Sequence, residues 1–316
     1  MRRAFVLLTL VAFASPSPAP AQQAQGTQRT VLVTGASSGI GRRITETLAS
    51  EGAFVYAGAR RAEDIAALSK IPNVQGVRLD VTVPADIAAA VETIRKGGRA
   101  LDGIVNNAGV AVVGPLIEME DKELTSLFEV NTYGPYRVVR AFAPMLIASK
   151  GRVVTISSIS GVLSGPFLGA YSMSKHAVEA FGDALGAEMG RLGVRSSLVE
   201  PGNYRSDIGR NTMTQVEAAM KRAAGGPFEQ PMRGMQAAMG RYDSYPEPDD
   251  VAKAVSHALF DPNPRVRYMV VPEARQAEVT IRKAIDEVVQ LNAGHKFSYD
   301  RETLVKMLDS SLAKVK

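Results

Sequence analysis

From residue 30 to residue 272, short apolar runs alternate with longer stretches whose apolar positions recur every three or four residues. The short runs are Thr30–Gly35, Phe54–Ala59, Val74–Val81, Gly103–Ala108, Gly151–Ser158, Val194–Glu200 and Arg267–Val271. The first is a Val/Leu run of the kind found in strands buried on both faces. Helical periodicity fills the intervals: Gly39–Ser50, Ala62–Ser69, Pro84–Lys96, Glu120–Ala148, Leu168–Leu192 and Pro248–Leu259. Pro84 stands at a helix start and Gly97-Gly98 at its end, the usual asymmetry. Strands alternating with helices predict an α/β fold, a doubly wound parallel sheet with right-handed crossovers and one switch point.

Both ends of the chain depart from this alternation. Met1-Arg2-Arg3 is basic, Ala4–Ala14 is an apolar run of eleven residues, and Ala19-Pro20-Ala21 has small residues flanking a cleavage point. That order is a secretory signal over 1–21, followed by a polar linker over 22–29, with a mature start near Gln22. Arg2-Arg3 also has the look of a twin-arginine signal, which exports folded proteins; the Sec route stays open. The expected location is periplasmic, or cytoplasmic if the start codon is misassigned. Beyond Pro272, helical periodicity over Glu273–Asn292 and Tyr299–Val315 forms a C-terminal extension, 273–316, able to cover a pocket or an oligomer face.

Composition narrows the chemistry. The chain has 316 residues, 46% hydrophobic, with a net charge of +5, two of those charges being Arg2 and Arg3. No basic stripe suggests nucleic acid. Cysteine is absent, and the three histidines, His176, His257 and His295, are too scattered to hold a metal. A disulfide, a thiol nucleophile and a metal site are excluded from the expectations.

The candidate chemistry lies in four places. Thr34-Gly35-Ala36-Ser37-Ser38-Gly39-Ile40-Gly41 joins the first strand to the first helix. Such a turn aims backbone N–H groups at a pyrophosphate from the positive end of a helix. Asn106-Asn107-Ala108-Gly109 follows the fourth strand. Tyr171 and Lys175 share a helix face at i,i+4, with Ser158 thirteen residues upstream of the tyrosine and Asn131 further back. A free tyrosine has a pKa of about 10, and a cation one turn away is expected to lower it toward working pH.

In this order and spacing the motifs resemble the short-chain dehydrogenase/reductase family, over roughly residues 30 to 272 and in one Rossmann domain. Certain stretches, such as Met173–Phe181 and Glu200–Tyr204, are most similar to its retinol, hydroxysteroid and 3-hydroxybutyrate dehydrogenase members. The resemblance implies a strand order of 3-2-1-4-5-6-7. It implies catalysis by Asn131, Ser158, Tyr171 and Lys175: Tyr171 as acid and base, Ser158 holding the substrate oxygen, Lys175 also bonding the nicotinamide ribose, and Asn131 anchoring a relay water. It implies cofactor contacts from Gly35, Ser37, Ser38, Gly39, Ile40 and Gly41, from Asp80-Val81 at the adenine, and from Asn106, Asn107, Ala108 and Gly109 at the nicotinamide. Pro201 and Gly202 belong to the family's Pro-Gly-x-x-x-Thr segment over the carboxamide, where Ser206 replaces the threonine but keeps a hydroxyl. Dimers or tetramers through the helices around Asn131 and Tyr171 are expected.

Charge decides between cofactors. NAD sites usually offer a carboxylate to the ribose about twenty residues after the glycine turn. Here the segment reads Ala57-Gly58-Ala59-Arg60-Arg61, and Arg60 can fork onto a 2′-phosphate. NADP(H) is favoured, with NAD(H) left open. The segment 207–246 carries Met213, Met220, Met232, Met235 and Met239, with Phe228, Tyr242 and Tyr245. It reads equally as an adaptable lid over an apolar substrate and as a helical pair with core methionines. The expected activity is an NADP(H)-dependent oxidoreductase interconverting a hydrophobic secondary alcohol and its ketone or aldehyde, with Tyr171 as acid and base. The alternative is a catalytically silent nucleotide-binding or scaffold protein of the same fold. No membrane span is expected in the mature chain.

Overall fold

The computed structural model describes residues 28–240 and 244–314. The signal segment and Tyr242 lie outside the described residues. The strands are β1 (Thr30–Val33), β2 (Phe54–Ala59), β3 (Val74–Arg78), β4 (Gly103–Asn106), β5 (Arg152–Ile156), β6 (Arg195–Pro201) and β7 (Arg267–Val270). They form one parallel sheet in the order β3-β2-β1-β4-β5-β6-β7. The order reverses at β1, which pairs with β2 on one side and β4 on the other.

Period-two alternation explains the two layers. Val31 and Val33 of β1 point to one face, where they pack with Ile44 and Leu48 of α1 (Gly39–Ser50) and with Val251, Val255 and Leu259 of α9 (Asp249–Phe260). Leu32 points to the other face, against Ile87 and Ile94 of α3 (Pro84–Lys96) and Val138, Phe142 and Leu146 of α5 (Tyr133–Ser149). On that face α6 (Gly169–Gly190) adds Phe181, Leu185 and Met189.

Two departures from the sequence reading affect the site. β3 ends at Arg78, so Asp80-Val81 lies in the loop beyond the strand. The helix expected over 120–148 is two helices, α4 (Asp121–Asn131) and α5, broken at Thr132. Pro135 accounts for the break: it has no N–H to return to the carbonyl of Asn131, four residues earlier. The described residues of 207–246 form α7 (Asp207–Ala223) and α8 (Glu229–Met239), a helical pair as one of the two sequence readings had it.

The extension forms α10 (Ala274–Asn292) and α11 (Arg301–Ala313). Gln276 and Thr280 of α10 are buried, whereas Ile281, Ile285 and Val289 of α10 and Leu308 and Leu312 of α11 are exposed. Among the described residues, no helix is long and apolar enough to cross a membrane.

Candidate active site

At the C-terminal ends of the strands a cavity of about 570 Å³ opens across the switch point. This is where an open α/β sheet places its ligand. One half is walled by the glycine turn, Arg60, Asp80-Val81, Asn107, Ala108 and Gly109, the other by apolar residues of the 160–168 loop, α7 and α8. Ser158, Tyr171 and Lys175 stand where the halves meet.

The glycine turn is held by polar groups from β4. Thr34 Oγ1 accepts the N–H groups of Asn107 and Ala108, both at 3.0 Å. Asn107 Nδ2 returns two bonds of 3.0 Å, to the carbonyls of Thr34 and Gly35. Gly35 needs to be glycine: its φ is +64°, and a Cβ there would come within 2.8 Å of the Ala108 Cα. Ser38 precedes α1 without a capping side-chain bond, and no acid occupies the first turn. The orphan N–H groups of that turn, at Gly39, Ile40 and Gly41 on the cavity wall, therefore suit an anion.

Arg60 and Arg61 separate cleanly. Arg61 is engaged by Asp64, at 2.8 and 2.9 Å, and by Glu63. Arg60 is exposed, lines the cavity, and makes no ion pair among the described residues. Asp80 shares this corner. Burial pushes its carboxyl up, but bonds from the Thr82 hydroxyl at 2.7 Å and N–H at 2.9 Å, with the charges of Arg60 and Arg78, bring it below its ordinary range. Cationic and hydrogen-bonding groups at one end and a bare helix N-terminus in the middle fit a dinucleotide carrying an extra phosphate.

The catalytic candidates do not all face the cavity. Tyr171 is hydrogen-bonded to Ser158, and its hydroxyl is pushed up to about 12 by burial, against the pull of that bond. Lys175 is buried, its ammonium pushed down to about 8 by desolvation, with Glu179 opposing. Lys175 Nζ donates to the Ile156 carbonyl at 2.9 Å and stands 5.7 Å from the Tyr171 ring centroid. The expected lowering of Tyr171 by Lys175 is thus corrected: desolvation outweighs a cation whose bond goes to Ile156. Asn131 does not reach the cavity wall. Its side chain is fully engaged, accepting from Val110 N–H at 2.8 Å and donating to Val110 O at 2.8 Å and Ser174 Oγ at 3.0 Å. It holds the Val110 wall in place.

Asn106 turns away from the cavity onto Thr155 Oγ1, while Asn107 lines it. Pro201, Gly202 and Ser206 line it, Ser206 at the N-cap of α7. Of the lid methionines, Met235 reaches the cavity. Met220 and Met232 pack instead on Val113, Val216 and Phe228 in a small core beneath it.

Sequence reasoning passed over three residues. Thr34 was legible as a hydroxyl just before the turn. Ser174 donates to the Tyr171 carbonyl at 2.7 Å and accepts from Asn131, tying α6 to α4. Gln276, from the extension, accepts Asn203 N–H at 2.9 Å and so fastens the turn after β6. No local pattern announces a contact over 73 residues.

Comparison with known proteins agrees with this geometry. A family model described as short chain dehydrogenase matches residues 29–217. An uncharacterized oxidoreductase of Escherichia coli K12, YbbO, is 34% identical over 77% of this chain and 86% of its own. The NADPH-dependent 3-dehydrocapnine reductase of Ornithobacterium rhinotracheale is 34% identical over 78% of this chain and 89% of its own. A metagenomic short-chain oxidoreductase solved with NADP is 29% identical with a TM-score of 0.61, covering 78% of this chain and 98% of that one. A Burkholderia phymatum short-chain dehydrogenase/reductase solved with NAD is 25% identical with a TM-score of 0.71, covering 86% and 99%.

Proposed function

The chain belongs to the short-chain dehydrogenase/reductase family, and from that premise we propose that it interconverts an uncharged, hydrophobic ketone and its secondary alcohol with NADP(H), with Tyr171 as acid and base. The observation that carries this reading is the placement of Tyr171. It stands between the two halves of the cavity, beside Ser158, and its phenol, like that of any tyrosine with a pKa of about 10 or above, is protonated at neutral pH. A group that donates a proton to a ketone oxygen must start in that form. Ser158 is placed to hold the same oxygen by a hydrogen bond. NADPH, when bound, supplies the hydride. Lys175, whose pKa of about 8 still lies above neutral, keeps an ammonium near the ring and so favours the phenolate left when the proton departs.

Two features support the finer assignments. Among the described residues Arg60 makes no ion pair, although its charge is felt by Asp80, and a guanidinium so placed at the ribose end favours a 2′-phosphate and hence NADPH. On the substrate half, Val110, Ala111, Leu163, Leu168, Met235 and Tyr245 line the wall, and among the described residues no charged side chain joins them. A carboxylate substrate would find no counter-ion there.

Steady-state reduction of a panel of apolar and carboxylated ketones tests the reading, with Tyr171→Phe as the decisive variant. Losing a general acid costs about 10²–10⁴-fold in kcat, while the NADPH Kd stays within about twofold. Full turnover by Tyr171→Phe would remove Tyr171 from the reaction.

We also propose export. The support is the order of basic, apolar and small-residue segments over 1–21, which places the mature start near Gln22. Mass spectrometry of the native protein reads this directly; an intact Met1 in the cytoplasm would overturn it.

A further inference from the structure

One turn beyond Lys175 the active-site helix buries an acid that the reaction does not use. Tyr171, Lys175 and Glu179 recur every four residues along α6 and share a face. Glu179 meets Glu200, which immediately precedes Pro201 at the end of β6. The two residues are only 9% and 4% exposed, and their carboxyls lie within hydrogen-bonding reach of each other. Ionised carboxylates only accept, so a bond between them requires a proton. Glu179 Oε1 and Glu200 Oε1 each lack a hydrogen-bond partner among the described residues. A proton held between the carboxyls supplies the donor that the pair is missing.

The surrounding charges point the same way. From β7, Arg267 Nε lies 3.0 Å from Glu179 Oε2 and 3.2 Å from Glu200 Oε1, and the same guanidinium reaches Asp183 Oδ2 at 2.7 Å. From α6 come Lys175 and Asp183, while His176 is turned to the Ser172 carbonyl. The end of β5 contributes the neutral hydroxyl of Ser157, buried and without a hydrogen-bond partner among the described residues. Three acids thus face two cations, and one proton balances them.

We propose that Glu179 and Glu200 share one proton at neutral pH, and that this acid pair is a positioning element which seats the Pro201–Gly202 turn against the Lys175 turn of α6. The proposal rests on the reading of that cavity as the cofactor site. Removing the shared proton sets two like charges at bonding distance, and the relief is to part β6 from α6. Both Lys175 and the 201–202 turn line the cavity, so the parting weakens the cofactor's seat.

Burial, then the charge of Glu179, raises Glu200 to about 7, with Arg267 opposing. An unfolded glutamate titrates near 4.3. Its folded pKa is the higher one, so the native state binds this proton more tightly. The pair's contribution to stability is whole below the unfolded value and is lost as pH rises through about 7.

The test compares the wild-type protein with Glu200→Gln, whose amide can donate to Glu179 as the protonated acid would. NADPH affinity is followed by fluorescence from pH 6 to pH 8.5. The ratio of wild-type Kd to variant Kd is expected to climb by about threefold to tenfold across that range; the 2′-phosphate titrates in both proteins and cancels. Asp183→Asn removes one of the charges that raise Glu200 and frees part of Arg267, so it should move the step to lower pH without abolishing it. Infrared spectra of the wild-type protein should show a neutral carboxylic acid band at pH 7 that fades by pH 9, a readout that stands even if Glu200→Gln does not fold. Parallel Kd curves, or no neutral acid at pH 7, would overturn the pair. A protein that shows this step in NADPH affinity yet reduces no ketone would keep the pair and lose the proposed reaction.

Discussion

The two halves of the cavity are built on different principles. On the cofactor half, polar side chains lock one strand end to another: Thr34-Gly35 and Asn107-Ala108 exchange four bonds across more than seventy residues. On the substrate half, α7 and α8 meet each other and Val113 through a small apolar pad of Val216, Ala219, Ala223 and Met232. A phosphate is recognised by backbone N–H groups, so the backbone must be placed to a fraction of an ångström. An apolar substrate is recognised by area and shape, and side chains can re-pack around it. The halves should therefore answer differently to substitution.

The largest effect is expected where the backbone is most constrained. Gly35→Ala places a Cβ at φ +64°, 2.8 Å from the Ala108 Cα and 3.1 Å from its N, both backbone atoms that cannot swing aside. The strain should lower stability by about 1–3 kcal/mol. Because the same backbone forms the phosphate cradle, NADPH affinity should fall by about two orders of magnitude, roughly 2.7 kcal/mol. Thermal unfolding and cofactor titration measure the two. A stable, normally binding Gly35→Ala would show that the turn is not the cradle.

How far the sequence foretold this division depends on the range of the forces involved. The strands, the glycine turn and the Tyr171–Lys175 pair are local patterns, set by periods of two and 3.6 and by one conformationally demanding residue, and all were legible. The break at Thr132 was legible in principle, since Pro135 cannot bond to the Asn131 carbonyl; helical periodicity on both sides concealed it. Asn131 facing Val110, Gln276 reaching Asn203, and Glu179 meeting Glu200 were not legible. Each is a contact between elements far apart in the chain, and no single segment carries a trace of it. The shift of Tyr171 upward rather than downward has the same origin: the i,i+4 spacing announces the cation, but burial by the rest of the fold decides the sign.

An intermediate effect is expected at Arg60, which is charged and exposed but attached to the rigid half. A hydrogen bond to a charged group is worth about 1.5–3 kcal/mol. Arg60→Asp removes that bond and sets a carboxylate against the 2′-phosphate, so the ratio of NADPH to NADH affinity should drop by about 10- to 100-fold. Titrating both cofactors against both proteins reads the change. Equal affinities in the unaltered protein would show that Arg60 does not select the cofactor.

The smallest effect is expected at Met235, and its value lies in where it does not spread. Met235 lines the cavity from α8 and also packs at the edge of the apolar pad, so it is supported by side chains rather than by strand ends. Met235→Ala removes apolar contact area, but neighbouring methionines and Phe228 can move into the space. A partly recovered contact of this kind is worth about 1 kcal/mol, which is roughly a fivefold rise in KM for an apolar ketone. No hydrogen bond links α8 to the glycine turn or to Asn107 among the described residues, so NADPH affinity should be unchanged. Steady-state KM and cofactor Kd, measured on the same preparation, separate the halves. If KM and Kd shift together, the cavity behaves as one unit, and the division between a rigid cofactor half and an adaptable substrate half fails.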